Sequence, residues 1–350
     1  MIFKNNTKRR KYNRSSTLMK LSTVAVCCMV LTTIVSFIML TGRMSEVTKL
    51  TAPENYDTYD KYVCMITSDD EGQFWQEVYQ VAKDAGKEMG ICVDMLSDTI
   101  NIQQNPAQLL NIAIASHPDG IILEANSSDE MTIMLEKANE ADIPIVTVLS
   151  DGMASDRISY ISVNNYTLGQ IYGSQVIGVA EKNANVLILT RSDTNAIGEN
   201  LIITGIQDTI MDSEEYRNIN ITSNTIIDDD AFAIEESVRN IFMHSRTLPD
   251  VIICLDEQIT TCVYQAMIDY NKVGQVQLLG YYDSDTILEG VRQGVIHSTI
   301  AVDTAAMGQD CVDAFAEYWE SGYVSEYYDV DAKLITIENI NSVVKEGNNE

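Results

Sequence analysis

Residues 68–75 read SDDEGQFW, which sets Ser68, Asp69, Asp70 and Glu71 just ahead of an adjacent aromatic pair, Phe74 and Trp75. Carboxylates and a hydroxyl engage donor groups, and aromatic rings receive apolar or flat faces. Together these residue types suit binding of a small molecule better than bond chemistry. Nothing in the chain arranges a reaction. There is no nucleophile elbow, P-loop, HExxH or GxGxxG string. His117, His244 and His297 stand apart, with no partner at motif spacing. Asp228, Asp229 and Asp230 read as a loop and helix cap before AFAIEESV. The string DSDT at 283–286 lacks the spaced ligands and glycine of a calcium loop. The chain is therefore expected to be no enzyme and to hold no metal or cofactor.

The elements around 68–75 explain why a site belongs there. Residues 62–67 form a short apolar run and predict a strand. Phe74, Val78, Ala82, Ala85 and Met89 recur at steps of three or four and predict a helix with one buried face. Phe74 lies on that face, so packing alone also explains it. Trp75 lies off the stripe, which favours a cleft or surface role. A strand feeding a helix through a short loop opens a parallel α/β sheet, whose ligands bind at the carboxyl ends of the strands.

The same unit recurs along the chain. Apolar runs at 91–96, 120–125, 144–149, 159–163, 185–190, 219–227, 251–255, 276–281, 298–302 and 332–337 alternate with helical segments. The helices are expected from Pro106, from Ser127–Ser128, and over 165–183, 197–213, 231–244, 257–270, 284–293 and 304–320. The strands show little polar alternation, as expected when helices cover both sheet faces. About ten strands exceed one small open sheet, and they divide near 160–165 into two lobes with parallel sheets.

Charge and hydropathy bound the setting. Residues 1–50 hold nine basic residues and one acid, leaving 14 basic against 50 acidic residues in the other 300, a net of −36. Such a body repels phosphate backbones, which excludes nucleic acid as a partner. Residues 1–20 form a basic segment. Residues 21–40, LSTVAVCCMVLTTIVSFIML, then run without a charge for a length that spans about 30 Å as a helix. Positive charge on the leading flank sets that end in the cytoplasm. The run is longer than a signal-peptide core, and TGRMSE after it offers no good cleavage site. An uncleaved anchor is favoured over a cleaved signal; either way the acidic body lies outside the cytoplasm. Residues 41–60 read as a polar linker. Five cysteines of the body, Cys64, Cys92, Cys254, Cys262 and Cys311, show no CxxC or Cys/His spacing and read as buried thiols; a Cys64–Cys92 bridge between neighbouring strands is the minor alternative.

Several segments together resemble the type 1 periplasmic sugar-binding family, the ribose-binding-protein-like group. The opening strand with SDDEGQFW, HPDGIILEANSSD (117–129), ADIPIVTVLSD (141–151), SYISVNNYTLGQIYG (159–173), LPDVIICLDE (248–257), VQLLGYYDSDTILEGVRQGVIHSTIAVD (276–303) and the final AKLITI keep that family's order over about residues 60–340. The resemblance implies two Rossmann-like lobes joined by three crossings that close on a small ligand. It implies lobe 1 as residues 60–164 plus 304–326 and lobe 2 as 165–303 plus 327–340, with 341–350 a tail. A small solute, sugar or sugar-like, and a transporter permease (ABC type) or sensor histidine kinase are the implied partners, together with the membrane.

Phe74 and Trp75 match the family's aromatic pair. Its hydroxyl-binding positions fall here on Leu149, Asn200, Leu255, Tyr282 and Val302, with Ser150, Asp151, Asp256, Asp283 and Asp303 close by. Three expectations follow: a more apolar or aromatic ligand; a sugar held by a re-formed set of Ser68, Asp69, Asp151, Arg191, Asn200 and Asp256; or no ligand, with the fold serving as an interaction module whose cleft is filled by Tyr282, Leu149 and Val302. Arg191 ends a predicted strand, where its side chain faces the cleft or lies in a surface loop.

Overall fold

The computed structural model describes residues 59–67, 72–99, 105–152, 157–191, 196–226, 231–244, 247–342. The expected basic segment and membrane anchor, nearly all of the linker and tail, the Asp228–Asp230 run, and the candidates Ser68 and Asp69 lie outside these residues. Among the described residues, no helix is long and apolar enough to cross a membrane.

The first sheet contains β1 (Lys61–Ile66), β2 (Ile91–Met95), β3 (Gly120–Ala125), β4 (Ile145–Asp151), β5 (Ser159–Ser162) and β11 (Tyr327–Asp329), in the order β11-β5-β4-β3-β1-β2. The second contains β6 (Asn185–Arg191), β7 (Asn220–Ile226), β8 (Val251–Cys254), β9 (Gln277–Tyr281), β10 (Ser298–Val302) and β12 (Ala332–Thr336), in the order β12-β10-β9-β8-β6-β7. The two orders are the same pattern, so the sequence repeat is a structural repeat. Each chain path starts at an inner strand, moves outward once, then returns to the other side of its start. The switch points lie between β1 and β3 and between β6 and β8, where α/β sheets open a crevice at their carboxyl ends.

Local chemistry sets the helices. α1 (Gln73–Glu88) buries Phe74, Val78, Ala82 and Ala85 on the expected face. A short α2 (Leu96–Thr99), not expected from sequence, precedes α3 (Pro106–Ser116), which has Pro106 in its first turn and Asn105 accepting from the Gln108 amide. α4 (Asp129–Glu140) is capped by Ser128 and carries Asp129 and Glu130 in its first turn. In the second lobe follow α5 (Asn165–Val179), α6 (Ala196–Asp212), α7 (Ala231–His244), α8 (Glu257–Asp269) and α9 (Asp285–Arg292). α10 (Thr304–Ser321) returns to the first lobe. There it packs on α1 so closely that a Cβ on Gly308 would lie 2.6 Å from the Val78 carbonyl oxygen.

Both faces of the first sheet are dry, which explains why β1 shows no polar alternation. Val63 and Met65 belong to one buried cluster and Cys64 and Ile66 to another. The first cluster continues into the second lobe. Cys64, Cys92, Cys254, Cys262 and Cys311 are free thiols. Cys64 pairs in register with Asp94, and Cys92 with Tyr62, so a Cys64–Cys92 bridge does not form.

Three crossings join the lobes, after β5, at Asp303 and between β11 and β12. The third comes later than the expected boundary at 327, because β11 pairs in parallel with β5 and so belongs to the first lobe. The tyrosine-rich YYD is too short and polar to announce itself as a strand. The sheets are also not wholly parallel: β12 runs antiparallel to β10, since it enters from the crossing rather than from a helix. The crossings are laced together. The Val330 amide donates to the Ser162 carbonyl at 3.0 Å, and the Asp303 amide donates to the Asp331 carbonyl at 3.0 Å.

Candidate functional site

A cavity of about 930 Å³, part of it open to solvent, lies between the lobes. Both switch points feed it. From the first lobe come Phe74 and Trp75 after β1, Glu124 near the end of β3, and Leu149 and Ser150 from β4. From the second come Arg191 at the end of β6, Leu255, Asp256 and Glu257 after β8, Tyr281 at the end of β9, and Gly198, Glu199 and Ile202 on α6. The strands are apolar up to their last residues and turn polar where they reach the cleft.

Phe74 and Trp75 meet edge to face, centroids 5.1 Å apart, and each is more than nine-tenths buried. Trp75 thus belongs to the cleft wall, and Phe74 serves both core and cleft. Arg191 faces the cleft rather than a surface loop. Its side chain is 5% exposed, and Nη1 lies 3.4 Å from Oδ2 of Asp256. β6 and β8 are neighbours, with Leu189 paired to Cys254, so the two strand ends present these charges side by side. Asp256 also caps α8, accepting from the Ile259 amide at 2.9 Å. Burial, then the carboxylates Asp256 and Glu124, push the Tyr281 phenol well above its ordinary pKa, so it remains a neutral donor.

The remaining expected residues are placed elsewhere. Asp151 forms an ion pair with Arg157, Nε–Oδ1 2.6 Å, and accepts from the Thr147 hydroxyl at 2.7 Å. The cause is a bulge: Leu123 pairs with Thr147, but Ala125 pairs with Asp151, so between these pairs β4 holds two residues more than β3. Leu149 adopts a left-handed backbone there, φ 57°. The bulge brings Leu149 and Ser150 to the cavity, and the Ser150 hydroxyl donates to the Ala125 carbonyl. Asn200 is exposed on α6, while its neighbours Gly198 and Glu199 line the cavity. Asp303 is exposed and caps α10, accepting from the Ala306 amide. Tyr282, with φ 75°, is buried against Phe74 rather than lining the cavity.

Glu124, Glu199, Glu257 and Tyr281 were not anticipated. Glu124 carried a signal: a lone charge near the end of an otherwise apolar strand, GIILEA, as Arg191 is in NVLILTR. A buried charge in that place is costly unless it is paired, as Arg191 is with Asp256.

A family model described as a periplasmic binding protein domain matches residues 63–322. A search of curated proteins returns no match. Among solved structures, an ABC-transporter solute-binding protein from Burkholderia graminis in complex with D-arabinose superposes with a TM-score of 0.71 at 21% identity, covering 81% of this chain and 98% of that one. GanP, a glucose-galactose binding protein from Geobacillus stearothermophilus, gives 0.70 at 20% identity, with 80% and 98% covered. The XylFII–LytSN complex gives 0.67 at 21% identity, with 79% and 98% covered. At these identities the likeness is one of fold.

Proposed function

Since this chain belongs to the periplasmic binding protein domain family, we propose that it is a membrane-tethered, extracytoplasmic solute-binding protein. Its lobes close on a small solute and pass the solute, or the signal of its presence, to a transporter permease or a sensor kinase. The cavity carries the reading: it lies between two lobes joined by three laced crossings, and both walls supply polar and aromatic groups. The 20-residue uncharged run at 21–40 behind a basic segment supports tethering. A tether raises the local concentration of the body near a partner in the same membrane. That a neighbour of similar fold was solved as a complex, XylFII–LytSN, supports a protein partner.

The alternative of a non-binding module requires a cleft filled by Tyr282, Leu149 and Val302. Tyr282 fills space beside Phe74, and Val302 is buried in β10, yet the cavity remains open beside them. Isothermal titration of the full chain in mild detergent with a panel of sugars and other small metabolites tests the reading. Binding of one solute, weakened about tenfold or more by Trp75→Ala, is expected. Absence of heat with every solute would turn the balance to the interaction module.

A further inference from the structure

The lobes meet through polar groups as well as through rings. Glu77 stands on α1, about one turn beyond Phe74, and is half-buried. Both its oxygens accept hydrogen bonds. Oε1 accepts from the Gln73 side-chain amide at 3.0 Å, and Oε2 accepts from the Thr304 hydroxyl at 3.2 Å. Thr304 opens α10 directly after the crossing at Asp303, so a residue of the crossing is tied to this carboxyl group. The loop after β9 comes to the same place from the second lobe. There the Tyr282 phenol lies beside Glu77, and the half-buried Asp283 carboxyl faces it. The loop is held firmly. The Tyr282 amide donates to the Ile300 carbonyl at 2.7 Å, the Tyr282 carbonyl accepts from the Thr299 hydroxyl, and Ser284 is buried behind them.

One carboxyl group from each lobe therefore meets at the junction. Among the described residues neither takes part in an ion pair. The other charged groups around them carry the same sign: Glu257 at the start of α8 acts on the Tyr282 phenol, and Asp303 caps α10. Two like charges on bodies that can move have two remedies, separation or a proton. Burial, then the Glu77 carboxylate, push the Asp283 carboxyl up to about 6. Parting the lobes would hydrate Asp283 and take it away from Glu77, returning it toward its ordinary 3.8. The joined arrangement thus holds the proton more tightly than the parted one. Its advantage is full below 3.8 and is lost as pH rises through about 6. Between about pH 5 and 7.5, linkage of this size moves the balance about tenfold toward the parted arrangement.

We propose that Glu77 and Asp283 form a proton-operated latch between the lobes: one proton between the two carboxyl groups keeps α1 against the loop after β9, and its loss releases them. Neither residue is among the described residues that line the cavity, so the latch acts by moving the cavity's walls. Phe74 carries the movement, since it touches Tyr282 on one side and the cavity on the other. The latch goes beyond the solute-binding reading and needs no ligand to operate.

The chain has two tryptophans, Trp75 in the cleft wall and Trp319 on α10. Trp319→Phe leaves Trp75, which is 5% exposed with the lobes joined, as the single reporter. The experiment is acrylamide quenching of the full chain carrying Trp319→Phe, without ligand, in mild nonionic detergent between about pH 5 and 7.5. Acrylamide is neutral, so the acidic body does not repel it. The quenching constant is expected to rise about twofold or more as pH passes about 6. Adding Asp283→Asn should abolish the rise and keep the constant near its acid value. Adding Glu77→Gln should lessen it, because burial of Asp283 remains. Should one variant fail to fold, the other decides. A level constant in the parent, or an equal rise in both variants, overturns the latch. So does a rise that circular dichroism shows to be unfolding. Each of these failures leaves the solute-binding reading standing.

Discussion

The ring of Tyr282, in the second lobe, packs edge-on against Phe74, in the first, with centroids 5.4 Å apart and planes at 77°. Phe74 also lines the cavity, so the contact that joins the lobes and the cavity wall share one side chain. Tyr282 holds this position with a left-handed backbone, φ 75°, which is unfavourable for a bulky residue. Its packing must offset that strain. Burial and the adjacent Glu77 carboxylate push its phenol well above the ordinary value, so it stays protonated throughout the physiological range.

Tyr282→Ala is expected to destabilise the chain by about 3 kcal/mol, the cost of emptying a buried aromatic site. Urea denaturation measures it. A loss below about 1 kcal/mol would mean the ring does not support the junction of the lobes.

Asp283 should make stability pH-dependent. Burial first, and Glu77 second, push its carboxyl from 3.8 up to about 6. The folded chain therefore binds this proton more tightly than the unfolded chain. Its stabilising effect is full below pH 3.8 and is lost as pH rises through about 6. Asp283→Asn should remove that slope and be the more stable protein above pH 6, by an amount of order 2 kcal/mol. Thermal midpoints of both proteins between pH 4 and about 7 provide the comparison; parallel curves would refute the assignment.

Asp151→Asn distinguishes the bulged register from the one the sequence suggests. With Asp151 held by Arg157 and Thr147, the change should cost about 1 kcal/mol of stability and leave the affinity for any solute unchanged. A large loss of affinity by calorimetry would return Asp151 to the site.

Gly169→Ala probes how α6 is held over the cleft. A Cβ at Gly169 would lie 2.2 Å from the Ile202 carbonyl oxygen, and one at Gly205 2.4 Å from that of Tyr166. The α5 and α6 backbones thus touch, and the same helix presents Glu199 and Ile202 to the cavity. The substitution should cost about 2–4 kcal/mol, because backbone rather than a flexible side chain must yield. Chemical denaturation near the wild-type midpoint would show the helices can slide apart freely.

The fold was legible wherever a buried strand met a period-3.6 helix. Phe74, Val78, Ala82 and Ala85 marked α1 correctly, and Asn105–Pro106 and Ser128 marked helix starts. β11 was not legible, since Tyr327–Asp329 is too short to show a period, and the last crossing moved with it. At the site, Arg191 and Trp75 were readable because a strand end or an off-stripe position places a side chain toward the cleft. Asp151 was misread because two extra residues in β4 loop out Leu149 and Ser150 toward the cavity and carry Asp151 back into the ladder beside Ala125. Asp256 was found, but its role as a cap was not, and Glu124 was passed over inside an apolar run.

Gly120 meets Phe315 so closely that a Cβ there would lie 2.5 Å from the ring. The first lobe's sheet thus receives a core side chain made 195 residues later than its partner glycine, and its edge strand β11 later still. As the chain emerges from the ribosome, the second lobe's segment must be synthesised before the first lobe can be completed. A nascent body halted short of residue 315 would present the uncovered β3 face with its intended partner still unmade. That ordering keeps the body incomplete, and so pliable, until synthesis is nearly done.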